Sequence, residues 1–192
     1  MSAVDRRAAL LDAAVAEIAR SGTRGMRIEA VAKAAGVSPA LIYHHFHNRS
    51  TLIHSALEHI GARADGYTKP AAGTGREMAR AMLLSEIQDD EAVRVNSAAW
   101  GELRDTAIFD ITLRPALARL TQRWVSDTAM YICDGVADGS IRSEIDSLEV
   151  AVQLTALVEG ISTRWLTAQL TTTHARAHLV SAINALLGDE QA

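Results

Sequence analysis

Cysteine is all but missing from this chain of 192 residues: Cys133 stands alone, which excludes an intrachain disulfide framework and a cysteine metal cluster. Lying inside a helical stretch, it reads as a buried small apolar residue rather than a redox sensor. Proline is scarce too, with three in all, and aromatic residues make up only 4%, so long helices meet few interruptions. Strand signals are missing: there is no sustained alternation of β-branched residues and no Asn-Gly hairpin turn. Nor is there a nucleophile elbow, a P-loop, a dinucleotide glycine fingerprint or a paired-carboxylate motif, so no catalytic residue and no cofactor are assigned. No apolar run reaches bilayer length, and the first twenty residues carry Asp5, Arg6, Arg7, Asp12 and Glu17, which makes a cytoplasmic protein the expectation. What these exclusions leave is an all-α chain.

Its charge is unevenly divided. Residues 1–54 hold seven basic side chains (Arg6, Arg7, Arg20, Arg24, Arg27, Lys33 and Arg49) against Asp5, Asp12, Glu17 and Glu29, a formal +3. The remainder holds 12 basic and 19 acidic residues, a formal −7. Only the N-terminal part suits a polyanion, and an overall pI near 6.0 argues against a wholly basic nucleic-acid coat protein.

Within that part, the stretch from Ile28 to Leu57 says most. A helix with Ile28, Val31 and Ala32 on its apolar face runs into Gly36, and glycine just past a helix is the usual left-handed stop. A new helix starts at once, with Ser38 as N-cap and Pro39 at the first helical position, where proline's missing N–H would be unpaired anyway. Two helices joined by about three residues must cross steeply, which is the helix-turn-helix shape that offers its second helix to a DNA major groove. Spacing turns Val37, Leu41 and Phe46 of this second helix inward and leaves Ala40, Tyr43, His44 and His47 on other faces. A short side chain at Ala40 lets the backbone approach a base edge, and Tyr43 and His44 can donate hydrogen bonds to phosphates or bases.

The run Val31 to Ser38, then Leu41-Ile42-Tyr43-His44-His45-Phe46, then Arg49 and Leu52-Ile53, closely resembles the DNA-binding region of TetR-family transcriptional regulators. The resemblance covers roughly a quarter of the chain. It implies an all-α homodimer with an N-terminal three-helix helix-turn-helix domain, followed by a larger helical domain that dimerises and holds a small effector. On this resemblance Ala40, Tyr43, His44 and His45 go to the groove and its edges, and Arg27, Ser38 and Arg49 to phosphate positioning. The chain departs from the family at two places. Arg27 stands where a capping Thr or Ser is usual, and it can reach a phosphate but cannot cap; Arg49 stands where Lys is usual and adds a planar fork.

In chain order, the first helix should run from about Val4 to Arg20, with Val4, Ala8, Leu11, Val15 and Ile18 on one face and Ser21-Gly22 at its end. Its outer Arg6, Arg7 or Arg24 would lie near a phosphate backbone. Asn48 caps a fourth helix carrying Leu52, Ile53, Ala56, Leu57 and Ile60, whose N-terminus adds a phosphate clamp beside Arg49. The DNA-binding domain is placed at residues 1–54 and the effector and dimerisation domain at 55–192, with Lys69 to Gly75 as the one linker-like interruption.

Further helices are expected over Glu77–Gln88, from the acidic corner Asp89-Asp90-Glu91 to Arg104, and from a cap at Asp110 to the stop at Gly139, Pro115 imposing either a kink or a later start near Arg114 on this last one. Asp146-Ser147-Leu148-Glu149 has capping-box form and opens a helix to about Leu170, apolar nearly all round; a last one runs from Thr173 to Gly188. Leu154, Leu157 and Ile161 with Leu179, Ile183 and Leu186 are the candidate dimer face, the alternative being burial in one chain's own core. Met82, Trp100, Trp124, Met130 and Tyr131, with Glu159 and Thr163, are candidates to line a mostly apolar effector cavity. Basic residues are few on these helices, which speaks against a highly phosphorylated effector.

His174 and His178 stand four apart on one helix face, yet no third ligand accompanies them, and they read as solvated rather than metal-binding. The expected partners are therefore a palindromic double-stranded DNA operator, a second copy of the chain and a small molecule, with no membrane. The leading reading is a repressor. A helix-turn-helix activator and an all-α enzyme or lipid carrier are the competing ones.

Overall fold

Nine α-helices and one 3₁₀ turn, with no strand, make up the regular structure among the described residues. The computed structural model describes residues 3–70 and 72–188, with side chains from Asp5 onward, so the Val4 side chain of the expected first-helix face and Ala71 of the linker lie outside it. The helices are α1 (Ala3–Gly25), α2 (Ile28–Ala34), α3 (Pro39–Phe46), α4 (Arg49–Thr68), α5 (Gly75–Leu84), α6 (Glu91–Thr106), α7 (Arg114–Ala137), α8 (Ser147–Leu166) and α9 (Thr172–Leu187).

Most helix starts are set by a side-chain acceptor for an otherwise unpaired N–H. Ser38 accepts from Leu41 N, Asn48 from Thr51 N, Asp90 from Ala92 N and Val93 N, and Asp146 from Leu148 N and Glu149 N. Arg27, before α2, makes no such bond, as its chemistry requires. Thr74 and Glu77 form a full capping box, which moves the start of α5 two residues ahead of the expected Glu77. Asp110 caps the 3₁₀ turn Ile111–Leu113 rather than the long helix, and α7 begins at Arg114 so that Pro115 falls in its first turn. Gly22 interrupts α1 at φ 70°, ψ 168°, where Ser21-Gly22 was expected to end it. The last helices are separated earlier than expected, because α8 stops at Leu166 and Ala168 takes a positive φ of 59°.

Packing divides the described residues into two units, one holding residues up to 64 together with 95–120, the other 65–94 together with residues from 121 onward. This differs from the contiguous split 1–54 and 55–192, because α4, α6 and α7 each give residues to both units. The first core joins Leu11, Val15 and Ile18 of α1 to Val31 of α2, Phe46 of α3, Leu57 of α4 and Leu103 of α6. In α3 the inward residues are Ile42 and Phe46, each 1% exposed, four positions apart; Leu41, expected inside, is half-buried and Val37 packs at the margin.

The second core joins α5, α7, α8 and α9, and Cys133 of α7, expected to be buried, is exposed instead because its side of the helix faces away from that core. Here the expected dimer face is corrected. Leu154, Leu179, Ile183 and Ile161 are buried, and Leu157 and Leu186 are half-buried against the same core, so this row belongs to the interior of a single chain. The opposite faces of the two helices carry the exposed residues Val152, Ala156 and Gly160 on α8 and Ala177, Ser181 and Ala185 on α9.

Candidate nucleic-acid interface

The turn between α2 and α3 is closed by backbone bonds, Val37 N to Ala32 O at 2.9 Å and Gly36 N to Lys33 O at 3.2 Å. Gly36 sits at φ 66°, and a Cβ added there would meet nothing within 4 Å, so its requirement is conformational rather than spatial. Past this turn α3 buries Ile42 and Phe46 and turns Ala40, Tyr43 and His44 outward in one stripe; Tyr43 is 47% exposed. His45 is half-buried, its ring edge-on to His44 at 5.5 Å and tilted against Phe46 at 6.1 Å. Packing therefore holds His45 at the rim of the stripe. No carboxylate lies on α3.

The seven residues expected at DNA are five that stand open on the surface, the half-buried His45, and Arg49, exposed yet engaged. Arg27, Ser38, Ala40, Tyr43 and His44 are exposed, and Arg27 has no hydrogen-bonding or ionic partner among the described residues. Arg49 is already engaged: its guanidinium donates to Thr23 O in the last turn of α1 and to Met26 O, at 3.3 Å, on the connection to α2. Arg7, expected near a phosphate, lies 5.0 Å over the Phe46 ring and donates to Ser55 Oγ at 3.3 Å. Both arginines brace the helix-turn-helix from behind.

Sequence reasoning missed the other half of this brace. Glu102 of α6 accepts from Thr23 N at 2.8 Å and Thr23 Oγ1 at 2.9 Å, while Thr23 Oγ1 shares a 2.8 Å bond with Thr106 Oγ1. The end of α1 is thus held by α6 on one side and by Arg49 of α4 on the other. Residues about eighty positions apart leave no local signal of such a contact. His59 and Asp12 make a further tie between α4 and α1, 2.8 Å apart.

Comparison with known proteins matches this N-terminal architecture. Residues 10–56 fit the family of bacterial regulatory proteins of the tetR type, and residues 75–188 fit the C-terminal region of BetI-type transcriptional repressors. The chain belongs to the TetR family. It is a transcriptional regulator with a DNA-binding helix-turn-helix. The HTH-type transcriptional regulator BetI of Rhizobium meliloti is 30% identical over 173 residues, 78% of this chain and 85% of its own length. Among solved structures, a TetR-family regulator from Rhodococcus sp. superposes with a TM-score of 0.89 at 43% identity, over 96% of this chain and all of that one. A regulator from Saccharomonospora viridis in complex with choline superposes at 0.84 with 25% identity, over 95% of this chain and 97% of that one.

In this TetR-family chain Trp100, of the seven candidate effector residues, belongs to the first unit and the other six to the second. Trp100 packs against the first core, whereas Trp124 and Tyr131 pack against the second. Met82 is buried and accepts from Thr128 Oγ1 at 3.8 Å; Met130 is half exposed, and Thr163, also exposed, donates to Glu159 O at 3.1 Å. The Trp124 indole N–H is buried without a protein acceptor. A cleft of about 460 Å³ in the second unit is lined by none of the seven. Among the described residues no helix is long and apolar enough to cross a membrane.

Proposed function

We propose that this regulator is a cytoplasmic homodimeric repressor that binds a palindromic operator and leaves it when a small, mostly apolar effector binds. The observation that carries the reading is the outward stripe Ala40, Tyr43, His44 on a carboxylate-free α3, on the part of the chain with formal charge +3. Two such helices about one DNA turn apart would place these side chains in successive major grooves, with His45 at the groove edge. Arg27, Ser38 and the N-terminus of α4 beside Arg49 would meet phosphates.

Dimerisation would use the outer faces of α8 and α9, where Ala156, Gly160, Ala177, Ser181 and Ala185 permit close helix approach. For the effector, the choline held by the Saccharomonospora viridis neighbour makes a quaternary ammonium the first compound class to try. Half-buried Trp124 and Tyr131 supply ring faces suited to such a cation. Release requires that the effector favour one arrangement of the paired helices over the other.

The test is fluorescence anisotropy of the purified protein with DNA from around its own gene, at two salt concentrations and against random duplex. Tight, salt-sensitive and sequence-selective binding supports the reading and provides the assay for effector release. Indifference to all DNA at low salt would sink it.

A further inference from the structure

The second unit is acidic: residues 65–94 and 121–192 carry eight basic and fifteen acidic side chains, so cations gathered within it are not a by-product of composition. Three of the eight nevertheless line one cleft of about 460 Å³, between the end of α4, the outer side of α5 and the start of α9. These are Lys69, Arg80 and Arg176, far apart in the chain and brought together by folding. Lys69 and Arg80 make no hydrogen bond or ion pair among the described residues. Arg176 is pinned through Nη1, which donates to Leu84 O at 2.6 Å and Ile87 O at 2.8 Å, and its Nε and Nη2 have no partner among the described residues.

Compensation is weak. Glu77 is the one carboxylate in the lining, and it is taken up by the start of its own helix, accepting from Thr74 N at 2.8 Å and Thr74 Oγ1 at 3.1 Å. Behind the wall, the Tyr67 hydroxyl donates to Glu86 at 3.3 Å, and burial pushes the Glu86 carboxyl up to about 7, so near neutral pH it carries only part of a charge. Like charges facing one concavity repel, and walls of low polarizability focus their field into it. The rest of the lining includes Pro70, Ala81 and Leu84, a surface for an apolar body next to the cationic head site. The volume lies within the range of small-molecule sites.

We propose that this cleft binds a small amphiphilic organic anion, a carboxylate or phosphate monoester, whose head is received by Lys69, Arg80 and Arg176 and whose apolar body lies on Pro70, Ala81 and Leu84. The site is distinct from the Trp124 and Tyr131 region and takes a ligand of opposite charge to choline. Gathering these cations reverses what their scarcity along the helices suggested.

The experiment is calorimetric titration of the full chain, without DNA, using four probes that share an eight-carbon body: octanoate, octyl phosphate, octanol and octyltrimethylammonium. Expected is binding of one or both anions at least tenfold tighter than octanol, as for a charge-assisted contact in a partly shielded site. The double variant K69Q/R80Q, whose two side chains hold no part of the fold together, should lose roughly tenfold or more of the anion affinity while octanol binding and the melting temperature stay put. Octanol binding as tightly as the anions would overturn the proposal, as would a preference for the ammonium, no anion binding at millimolar concentration, or anion affinity untouched in K69Q/R80Q. Because no DNA is present, the result stands whether or not an operator is found.

Discussion

Arg27 and Arg49 carry the same charge on either side of the helix-turn-helix, and their surroundings give them different work. Arg27 is exposed and has no partner among the described residues, so truncating it removes a charge and little else. R27A should leave the melting temperature unchanged and lower the salt dependence of operator binding by about one phosphate's worth. Arg49 holds the Thr23 and Met26 carbonyls, so R49A should lose about 1–2 kcal/mol of stability along with DNA affinity. Parallel melting curves and salt titrations separate the two. Glu86 illustrates a different residue-scale effect. Its folded value of about 7 lies above the ordinary carboxyl value, so between the two the folded state holds more protons than the unfolded one, and stability falls as pH rises through that window. E86Q removes the penalty: its gain over the parent chain should be near zero at about pH 4 and reach about 3 kcal/mol at about pH 8, read by urea unfolding at both. A gain independent of pH would refute the assignment.

At the scale of elements, the second unit depends on a very close meeting of α5 and α7. A Cβ added to Gly75 would stand 2.0 Å from Gly135 N and 2.5 Å from Tyr131 O, and one added to Gly135 would stand 2.5 Å from Ile141 Cδ1. Backbone therefore lies directly on backbone. The same junction is tied by Gly75 N donating to Asp138 Oδ2 at 2.8 Å and Arg76 N to Ser140 Oγ at 3.3 Å. Hydrogen bonds from the Ser140 side chain and from the Gly75 and Ser140 backbone hold the Asp138 carboxyl below the usual range. G75A has no flexible side chain to push aside and should cost about 3 kcal/mol or more, with a clear fall in the urea midpoint. T74A, which only opens the adjacent capping box, should cost about 1 kcal/mol. Equal small effects of the two would mean that the helices can separate without penalty.

At the scale of the whole molecule, a palindromic operator needs two recognition helices, so DNA binding and dimerisation are linked. Gly160 lies on the exposed side of α8, and a Cβ built there meets nothing within 4 Å. G160R should therefore be tolerated by the folded chain and resisted only by a partner packed on that face. Sedimentation velocity is expected to find a dimer for the parent chain and a monomer of unchanged helicity for the variant. Operator affinity of the variant should drop to the level of random duplex, about 10⁻⁴ to 10⁻⁶ M at physiological salt. A variant that remains dimeric would place the interface elsewhere.

What the sequence by itself determined is what acts over a few residues. The break at Gly22, the stop at Gly36, the caps at Ser38, Asn48 and Asp146, the start of α7 at Arg114 and the family likeness all rest on neighbours within one or two helical turns. Those rules set the number and kind of elements and the stripe that α3 turns outward. Tertiary structure alone decided which way each apolar helix is rotated. That is why the Leu154 and Leu179 rows, equally suited to a partner or to a core, proved to be core, and why Ile42 rather than Leu41 points in. It also decided every association across long separations: Glu102 on Thr23, Gly75 on Gly135, and Lys69, Arg80 and Arg176 around one cleft. The physical reason is common to all of them. A helix buries whichever face its neighbours cover, and the neighbours are chosen by packing of the whole chain rather than by the spacing of its residues.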